Sequence, residues 1–415
     1  MRRLLELKLK IYARWVLKKY QPRIIGITGS VGKTSAKEAI AWVLGRKFAV
    51  RASQKNYNNE IGLPLTILGL ESAGHSLFGW LGIFFKAWRL LLFRDKTYPS
   101  FLILEMGVDR PGDMDYLLSI VSPDVGVATT IGQAHLEYFG SVDKIRQEKQ
   151  KLIERIPSQG LAILNYDNEI TRAMAEISRA KVLTYGFEAG ADLRAQDLRH
   201  NNFKLNYQGS IVPVFLQRPV NQPLAYALLA GVAVGLDCEL NLLEIAQGLA
   251  DFSLLPGRLN FLPGYNYSTL IDDTYNASPD SVLAALKVLQ ETPAERRYFV
   301  LGDMLELGSE SEAGHRQVGE AAAKAGIDFL LVVGPQAALS AQAAIDQGLA
   351  ANQVSYFTDA LAAGRFLKEH LKSGDLALIK GSQGMRLEKA VKEAMAEPSR
   401  AKELLVRQGQ EWENK

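Results

Sequence analysis

This chain of 415 residues has one cysteine and no long, uncharged apolar run. The single cysteine, Cys238, excludes an internal disulfide, and we interpret it as a buried spectator rather than a nucleophile. The absence of about 18 consecutive apolar residues argues against a membrane-spanning helix. No apolar core follows the N-terminal charges, which argues against a cleaved signal peptide. We therefore expect a cytoplasmic protein.

The chain also has little excess charge of either sign. A net charge of +3 over this length argues against a dedicated nucleic-acid surface, so no nucleic-acid partner is expected. The charge is uneven, however, because residues 1–23 hold eight Lys and Arg but only one Glu. The length exceeds that of one typical core and indicates two or three domains.

The most informative segment follows an apolar, β-branched run at 24–27 and precedes a stretch with helical spacing at 36–44. Its residues are Thr28, Gly29, Ser30, Val31, Gly32, Lys33 and Thr34. Backbone N–H groups of such a turn bind phosphate, the lysine adds a cation, and the threonine hydroxyl can bind Mg²⁺. The segment therefore predicts ATP or GTP binding. The strict phosphate-loop pattern has glycine where Ile27 stands, so a purely structural strand-turn-helix is the alternative.

Two further segments show apolar residues at helical spacing. Residues 1–21 predict a basic amphipathic helix with one apolar face, formed by Leu5, Leu9, Tyr12, Val16 and Tyr20. Residues 77–93 form an aromatic insertion, which as a helix would place Gly79, Gly82, Lys86 and Arg89 on one face. Tryptophan and basic residues suit the interface of an anionic membrane, so we expect peripheral contact with its inner face. Packing of both segments on the protein's own core or on a partner is the equally weighted alternative.

The remaining pattern alternates apolar strands with helices and predicts an α/β fold. We predict a P-loop NTPase-like central domain with a parallel sheet at 22–293. A second run of strands, each ending at glycine, predicts a Rossmann-like domain at 294–398. Residues 399–415 are interpreted as a charged, frayed tail.

Two polar residues follow predicted strands of the central domain. Glu105 follows the run 101–104, and His135 follows the run 125–130. Because ligands bind at the carboxyl ends of parallel strands, both could complete a Mg²⁺ site beside Thr34. A capping or ion-pair role for Glu105 and a structural role for His135 remain alternatives.

Six segments occur in the order found in one family. They are 56–64, 105–107, 134–141, 272–277, 302–308 and 380–382. On these segments the chain resembles the Mur ligases, most closely the MurF type, over about residues 23–395. The resemblance implies an ATP-dependent amide ligase of peptidoglycan precursor synthesis. Such an enzyme activates a muropeptide carboxylate as an acyl phosphate and joins it to D-alanyl-D-alanine.

The resemblance also implies roles for individual residues. The implied catalytic residues are Lys33, Glu105, His135 and Lys149. ATP would be bound by residues 28–34 with Arg258, Asn276 and Asp303. The implied Mg²⁺ ligands are Thr34, Glu105, His135 and Lys149, the last as a carbamate formed with CO₂. Substrates would contact Asn58, Asn59, Lys380 and Ser382. Without the resemblance, Lys149 would be interpreted as a solvated helix charge.

Some features depart from the family pattern. Members of this type carry an N-terminal domain that binds UDP, whereas the phosphate loop here starts near residue 26. We therefore expect recognition without that domain, either of a lipid-linked substrate at a membrane or with a partner polypeptide. Substitutions relative to the usual residues occur at Thr130, Lys151, Ser278 and Gln383.

Three other functions are alternatives. One is a Mur-type ligase for another amino acid. A MurT-like activating subunit would carry a four-cysteine zinc ribbon, which a single cysteine argues against. A non-catalytic cell-wall scaffold predicts loss of the catalytic residues, all of which are present. We expect a monomer.

Overall fold

The computed structural model describes residues 2–53, 57–74, 76–132, 136–217, 219–252, 255–409 and 412. The chain forms two compact units. The first comprises Met1–Gly132 and Tyr138–Phe252, and the second comprises Ser253–Lys415, with Gln133–Glu137 assigned to it. Both units are α/β structures, as the alternation of strands and helices predicts.

The helices and strands of the first unit follow in chain order. The helices are α1 (Arg2–Tyr20), α2 (Lys33–Gly45), α3 (Gly62–Leu68), α4 (Leu77–Leu92), α5 (Asp113–Leu118), α6 (Leu136–Phe139), α7 (Val142–Glu154), α8 (Glu169–Arg172), α9 (Gln222–Asp237) and α10 (Leu242–Gly248). The strands are β1 (Arg23–Thr28), β2 (Val50–Ala52), β3 (Phe101–Glu105), β4 (Val125–Ala128), β5 (Leu161–Asn165), β6 (Lys181–Gly186), β7 (Leu193–Gln196), β8 (Asn202–Tyr207) and β9 (Ser210–Phe215).

The nine strands form one sheet in the order β2-β3-β1-β4-β5-β6-β7-β8-β9. Pairing is parallel from β2 to β7, and β8 and β9 add an antiparallel hairpin at the edge. Strands β1, β3, β4 and β5 are almost wholly buried, because helices cover both faces of a parallel sheet. Helix α2 packs against α9, where Gly231 permits close approach: a Cβ there would lie 2.9 Å from the carbonyl oxygen of Ala39.

The second unit contains a six-stranded sheet. Its strands are β10 (Asn260–Pro263), β11 (Thr269–Asp273), β12 (Arg297–Gly302), β13 (Phe329–Val333), β14 (Val354–Phe357) and β15 (Leu376–Lys380). Its helices are α11 (Pro279–Glu291), α12 (Ser311–Lys324), α13 (Ala337–Asp346), α14 (Ala360–His370), α15 (Glu388–Ala394) and α16 (Ala401–Leu404). The order is β10-β11-β15-β12-β13-β14, and only β10 is antiparallel.

Alternate residues of the second sheet point to opposite faces, as the two-residue period of a strand requires. Phe299 and Leu301 pack with α11, α12 and α13, whereas Tyr298 and Val300 pack with α14 and α15. The second unit is therefore a three-layer, Rossmann-like domain, as predicted.

The unit boundary differs from the sequence expectation, which divided the chain at 293/294. In the structure the division falls at 252/253. The reason is that β10 and β11 pair into the second sheet through β15, about a hundred residues later in the chain. The tail also differs from the expected frayed helix, because Ala401 and Leu405 are buried against the second core.

The two predicted amphipathic segments are helical, as α1 and α4. Leu9 and Val16, on the apolar face predicted for α1, are fully buried, and Ile83 and Ala87 of α4 are buried as well. These faces therefore pack on the first unit itself. In the part of the chain that the structure describes, no helix combines the length and apolarity needed to cross a bilayer.

Candidate active site

The turn after β1 has the conformation of a phosphate-binding loop. Gly29 has φ 148°, and a Cβ there would lie 1.9 Å from the Thr129 hydroxyl, so only glycine fits. Ser30 and Val31 donate their backbone N–H groups to the Thr130 carbonyl, which ties the loop to the end of β4. Helix α2 then begins at Lys33 without a side-chain cap, and the start of a helix is where its N–H groups and dipole stabilise an anion.

Two lysines meet at one carbonyl of this loop. Lys33 Nζ lies 2.7 Å and Lys149 Nζ 2.9 Å from the oxygen of Gly29. Lys149 is on α7 and is only 1% exposed. Burial, together with the positive charge of Lys33, holds the pKa of Lys149 well below its usual value. The Lys149 amine is therefore neutral far more readily than a surface lysine.

A hydroxyl and a carboxylate lie beside the lysines. Thr34 Oγ1 donates to Glu105 Oε2 at 3.1 Å, and Glu105 is buried at the end of β3. Oxygen ligands of this kind are those that Mg²⁺ prefers, so the pair fits a magnesium site. Within the described ranges, no group of three or more His, Cys, Asp or Glu is arranged as a metal site. His135 lies outside the described residues.

One buried polar atom at the loop lacks a partner. Thr28, the last residue of β1, has a fully buried side chain whose hydroxyl makes no hydrogen bond to any residue that the structure describes. A buried hydroxyl without a partner is costly, which is typical of a site that binds a further polar group.

The two asparagines predicted to contact substrate lie near Glu105. The backbone carbonyl of Asn58 accepts from Gly107 N at 3.1 Å, two residues beyond Glu105. Asn59 Oδ1 accepts from the N–H groups of Ile61 and Gly62, at the start of α3. Asn58 is thus held near the end of β3, while the Asn59 amide organises the start of a helix.

In the second unit, Lys380 is held by internal contacts. It is 2% exposed, and its Nζ lies 2.6 Å from Asp273 Oδ2 and 2.9 Å from the carbonyl oxygen of Asn276. Burial lowers the pKa of Lys380, and the neighbouring Asp273 opposes that effect. Lys380 therefore holds the loop that carries Asn276, and Asn276 itself is exposed.

Asp303 and Ser382 are also engaged within the second unit. Asp303 Oδ1 accepts from Ala337 N at 2.7 Å, at the first residue of α13. Ser382 Oγ accepts from Leu305 N at 2.8 Å. Both side chains are buried and connect the loops that follow β12, β13 and β15.

The Asn276 loop is also fastened by the C-terminal segment. Arg407 donates to the carbonyls of Thr274 and Tyr275 and to the buried carboxylate of Glu388, at 2.8 Å for the last. The guanidinium of Arg258 lies 3.8 Å from the centre of the Tyr275 ring. Arg258 and Asn276 are thus on one loop system of the second unit.

Two other titratable groups have displaced pKa values. Burial raises the pKa of Asp272 to about 6, against the opposing hydrogen bonds from Thr274 and Gly257. Burial also raises the pKa of the Cys238 thiol to about 11. The cysteine is half-buried and protonated at neutral pH, which agrees with its interpretation as a spectator.

Sequence reasoning missed Lys37. Its Nζ donates to the Ser53 carbonyl at 2.6 Å, pairs with Glu38 Oε1 at 3.1 Å and lies 4.0 Å from Glu105 Oε2, so it adds a positive charge near the Glu105 carboxylate. The signal was present, because Lys37 falls in the buried stripe of α2 with Ile40 and Leu44, at i, i+3 and i+7.

Two domain families of known proteins match this chain. The Mur ligase middle domain matches residues 27–78 and 88–219, and the Mur ligase, glutamate ligase domain matches residues 257–383. The chain is 32% identical to the UDP-N-acetylmuramoyl-tripeptide–D-alanyl-D-alanine ligase of Escherichia coli, over 92% of this chain and 78% of that protein. The chain belongs to the Mur ligase family. The corresponding Bacillus subtilis protein is 30% identical over 93% of this chain and 79% of its own length.

Solved structures give the same assignment. MurF from Acinetobacter baumannii superposes with a TM-score of 0.78 at 27% identity, covering 93% of this chain and 79% of that one. MurF ligase from Thermotoga maritima in complex with ADP has the same score and identity, over 94% and 83%. The Mur ligase match is interrupted at residues 79–87, inside α4.

Proposed function

We propose that this chain is an ATP-dependent ligase of peptidoglycan precursor synthesis that joins a muropeptide carboxylate to D-alanyl-D-alanine. The names of its relatives, at about 30% identity across nine-tenths of the chain, support this substrate pair. The observation that carries the proposal is the meeting of Lys33 and Lys149 at the Gly29 carbonyl, beside Thr34 and Glu105. A phosphate loop alone would require only the first lysine.

The proposed reaction has two steps. A carboxylate oxygen attacks the γ-phosphorus of ATP, the bond to the bridging oxygen breaks, and ADP leaves. The amine of the second substrate then attacks the acyl carbon, loses a proton and expels phosphate. Since phosphoryl transfer requires mainly positioning and charge neutralisation, the loop N–H groups and Lys33 would supply much of the rate.

We propose that Thr34 and Glu105 hold Mg²⁺, with His135 as a further predicted contact. When bound, the ion would neutralise charge on the phosphates. Lys37, whose Nζ lies 4.0 Å from Glu105 Oε2, would favour the ionised form of the Glu105 carboxylate. Lys33 would bind the terminal phosphates from the start of α2.

We propose that Lys149 carries a CO₂-derived carbamate. Its amine is buried and faces the phosphate loop, an arrangement that favours the neutral form, which attacks CO₂. The nitrogen of the neutral amine forms a bond to the CO₂ carbon and loses one proton, so a neutral group becomes an anionic carbamate able to bind a metal. In protein equilibrated with ¹³CO₂, we expect a carbamate carbon signal in NMR that is absent from Lys149→Ala but retained in the exposed-residue control Lys204→Ala.

The predicted ATP contacts Arg258, Asn276 and Asp303 and the predicted substrate contacts Asn58, Asn59, Lys380 and Ser382 remain proposals. Their internal contacts support a role in shaping loops at the carboxyl ends of strands, where ligands bind in such sheets. We also retain the predictions of a monomer and of peripheral membrane contact.

The test of the ligase is ADP release with each substrate alone and with both. We expect release to require the muropeptide and D-alanyl-D-alanine together, with Lys33→Met inactive and the surface control Lys204→Met unchanged. Release with neither substrate, or with no pair drawn from muropeptides and amino acids or dipeptides, would overturn the proposal.

A further inference from the structure

The first unit exposes an unusual set of apolar side chains on α1 and α4. On α1 they are Leu4, Leu7, Ile11 and Trp15, and on α4 and its end they are Phe78, Leu81, Phe85, Trp88, Leu92 and Phe93. Each is between 37% and 84% exposed, and together they make up ten of the 21 large apolar side chains that are exposed among the described residues. Concentration of this kind marks an interaction site, since exposed apolar residues on soluble proteins are normally scattered.

Each set forms one stripe of its helix, opposite the face that packs on the protein. At 100° per residue, the four exposed residues of α1 cluster on the side away from Leu9, Ala13 and Val16, which are fully buried. The exposed stripe of α4 likewise lies opposite Ile83 and Ala87. Both helices therefore have two apolar faces, an inner one that is buried and an outer one that is exposed.

The two stripes face the same side of the molecule. The helices run in the same direction, because Tyr12 packs on Phe84, with ring centres 5.6 Å apart, and Lys19 contacts the carbonyls of Leu90, Leu91 and Phe93. Viewed down the axis of α1, its exposed stripe lies about a quarter turn to one side of the residues that contact α4. Viewed down the axis of α4, its exposed stripe lies about a quarter turn to the other side of the residues that contact α1. For parallel neighbours, that relation places both stripes on one common surface, which we call the apolar ledge.

Exposed basic residues flank the apolar ledge. Those on α1 are Lys8, Arg14 and Lys18, and those on or just after α4 are Lys86, Arg89 and Arg94. Basic residues beside an apolar stripe with tryptophan are what a helix lying in the interface of an anionic bilayer requires. A protein partner would be complementary to the apolar residues but does not explain the cations on both helices.

We propose that the apolar ledge binds the surface of an anionic lipid bilayer, with α1 and α4 lying in its plane. The aromatic and aliphatic residues enter the acyl boundary, and the flanking cations contact headgroup phosphates. The Mur ligase middle-domain match begins at residue 27 and breaks at residues 79–87, so α1 and the middle of α4 lie outside the matched residues. The proposal is independent of the ligase reaction.

Vesicle flotation of the full chain tests the proposal. We expect binding to phosphatidylcholine vesicles containing about a quarter phosphatidylglycerol, weaker binding to pure phosphatidylcholine, and loss of binding as salt is raised. The triple variant Trp15→Ser/Phe85→Ser/Trp88→Ser should bind at least about tenfold more weakly, because it removes three large inserted side chains. The double variant Ile211→Ser/Phe215→Ser, at exposed apolar residues of the edge strand β9, should bind as wild type.

Brominated lipids give a second measurement that does not depend on affinity. Quenching of tryptophan fluorescence should occur in the wild type and largely disappear in the triple variant, which retains Trp42, Trp80 and Trp412. Absence of wild-type binding to the anionic vesicles, or equal binding by the triple variant, would overturn the proposal. A dimer in solution that the triple variant abolishes would instead assign the apolar ledge to a second copy of the chain and would also overturn it.

Discussion

Lys149 and Lys380 are both buried lysines, but they differ in what surrounds them. Lys380 has a carboxylate partner at 2.6 Å, whereas the hydrogen bond that the structure describes for Lys149 goes to the neutral carbonyl of Gly29. Burial of a charge is costly unless it is paired, so the first arrangement holds a cation and the second favours a neutral amine. The difference separates a lysine that stabilises a loop from one available for chemistry.

The largest expected effect concerns activity. Lys149→Ala should reduce ligase turnover by about 1,000-fold or more, because it removes the group proposed to complete the charge around the transferred phosphoryl. Coupled measurement of ADP formation with both substrates would show the loss, and added formate or acetate should restore part of it. Full activity without Lys149 would end the proposed carbamate role.

The comparison predicts opposite effects on folding. Lys380→Met should lower the free energy of unfolding by about 3–5 kcal/mol, because it leaves Asp273 buried without its cation. Lys149→Met should leave stability unchanged or higher, since among the described residues no carboxylate is hydrogen-bonded to Lys149. Urea unfolding of the two full-length variants measures both free energies of unfolding. Equal destabilisation would contradict the proposed difference between a charge-paired lysine and a neutral one.

The pH dependence of stability should show the effect of Asp272. Its pKa in the folded protein is about 6, above the ordinary value of 3.8, so between these values the folded state holds more protons than the unfolded state. The free energy of unfolding should therefore fall as pH rises from about 4 to 6, by up to about 3 kcal/mol from this group, and then level off. Asp272→Asn should flatten this slope in urea unfolding at several pH values, while the exposed Asp346→Asn should keep it.

The smallest expected effect concerns Ser382. Ser382→Ala removes the acceptor for Leu305 N and should cost about 1–2 kcal/mol of stability. The Michaelis constant for D-alanyl-D-alanine distinguishes its two roles. An unchanged constant would assign Ser382 to the loop alone, and an increase with little change in turnover would support the predicted substrate contact.

The sequence was sufficient for the fold class and for the phosphate loop. Apolar strands alternating with helical stretches predicted both sheets, and the glycines and Lys33 marked the loop. The unit boundary could not be predicted, because β11 joins the second sheet only through pairing with β15, and pairing between distant strands leaves no local pattern. The position of Asp273 beside Lys380 has the same origin.

Other features left a signal that was overlooked. Lys149 lies in the apolar stripe of α7 with Ile145, Leu152 and Ile153, which predicts a buried lysine without any family resemblance. The outer apolar stripe of α1 was not predicted, because the inner apolar face of the same helix already explained its helical spacing. A helix with two apolar faces satisfies the amphipathic pattern twice, and only the structure distinguishes the inner from the outer one.

The docking of the C-terminal segment affects how the protein can be handled. The Glu388 carboxylate is fully buried and forms ion pairs with Arg386 at 2.6 Å and with Arg407 at 2.8 Å. Truncation of the chain after residue 398 removes Arg407, one of these two counter-ions. The carbonyls of Thr274 and Tyr275 then lose their hydrogen-bond donor. Shortened preparations would therefore underestimate nucleotide affinity if Asn276 contacts the adenine, so purification tags belong on a linker placed beyond Trp412.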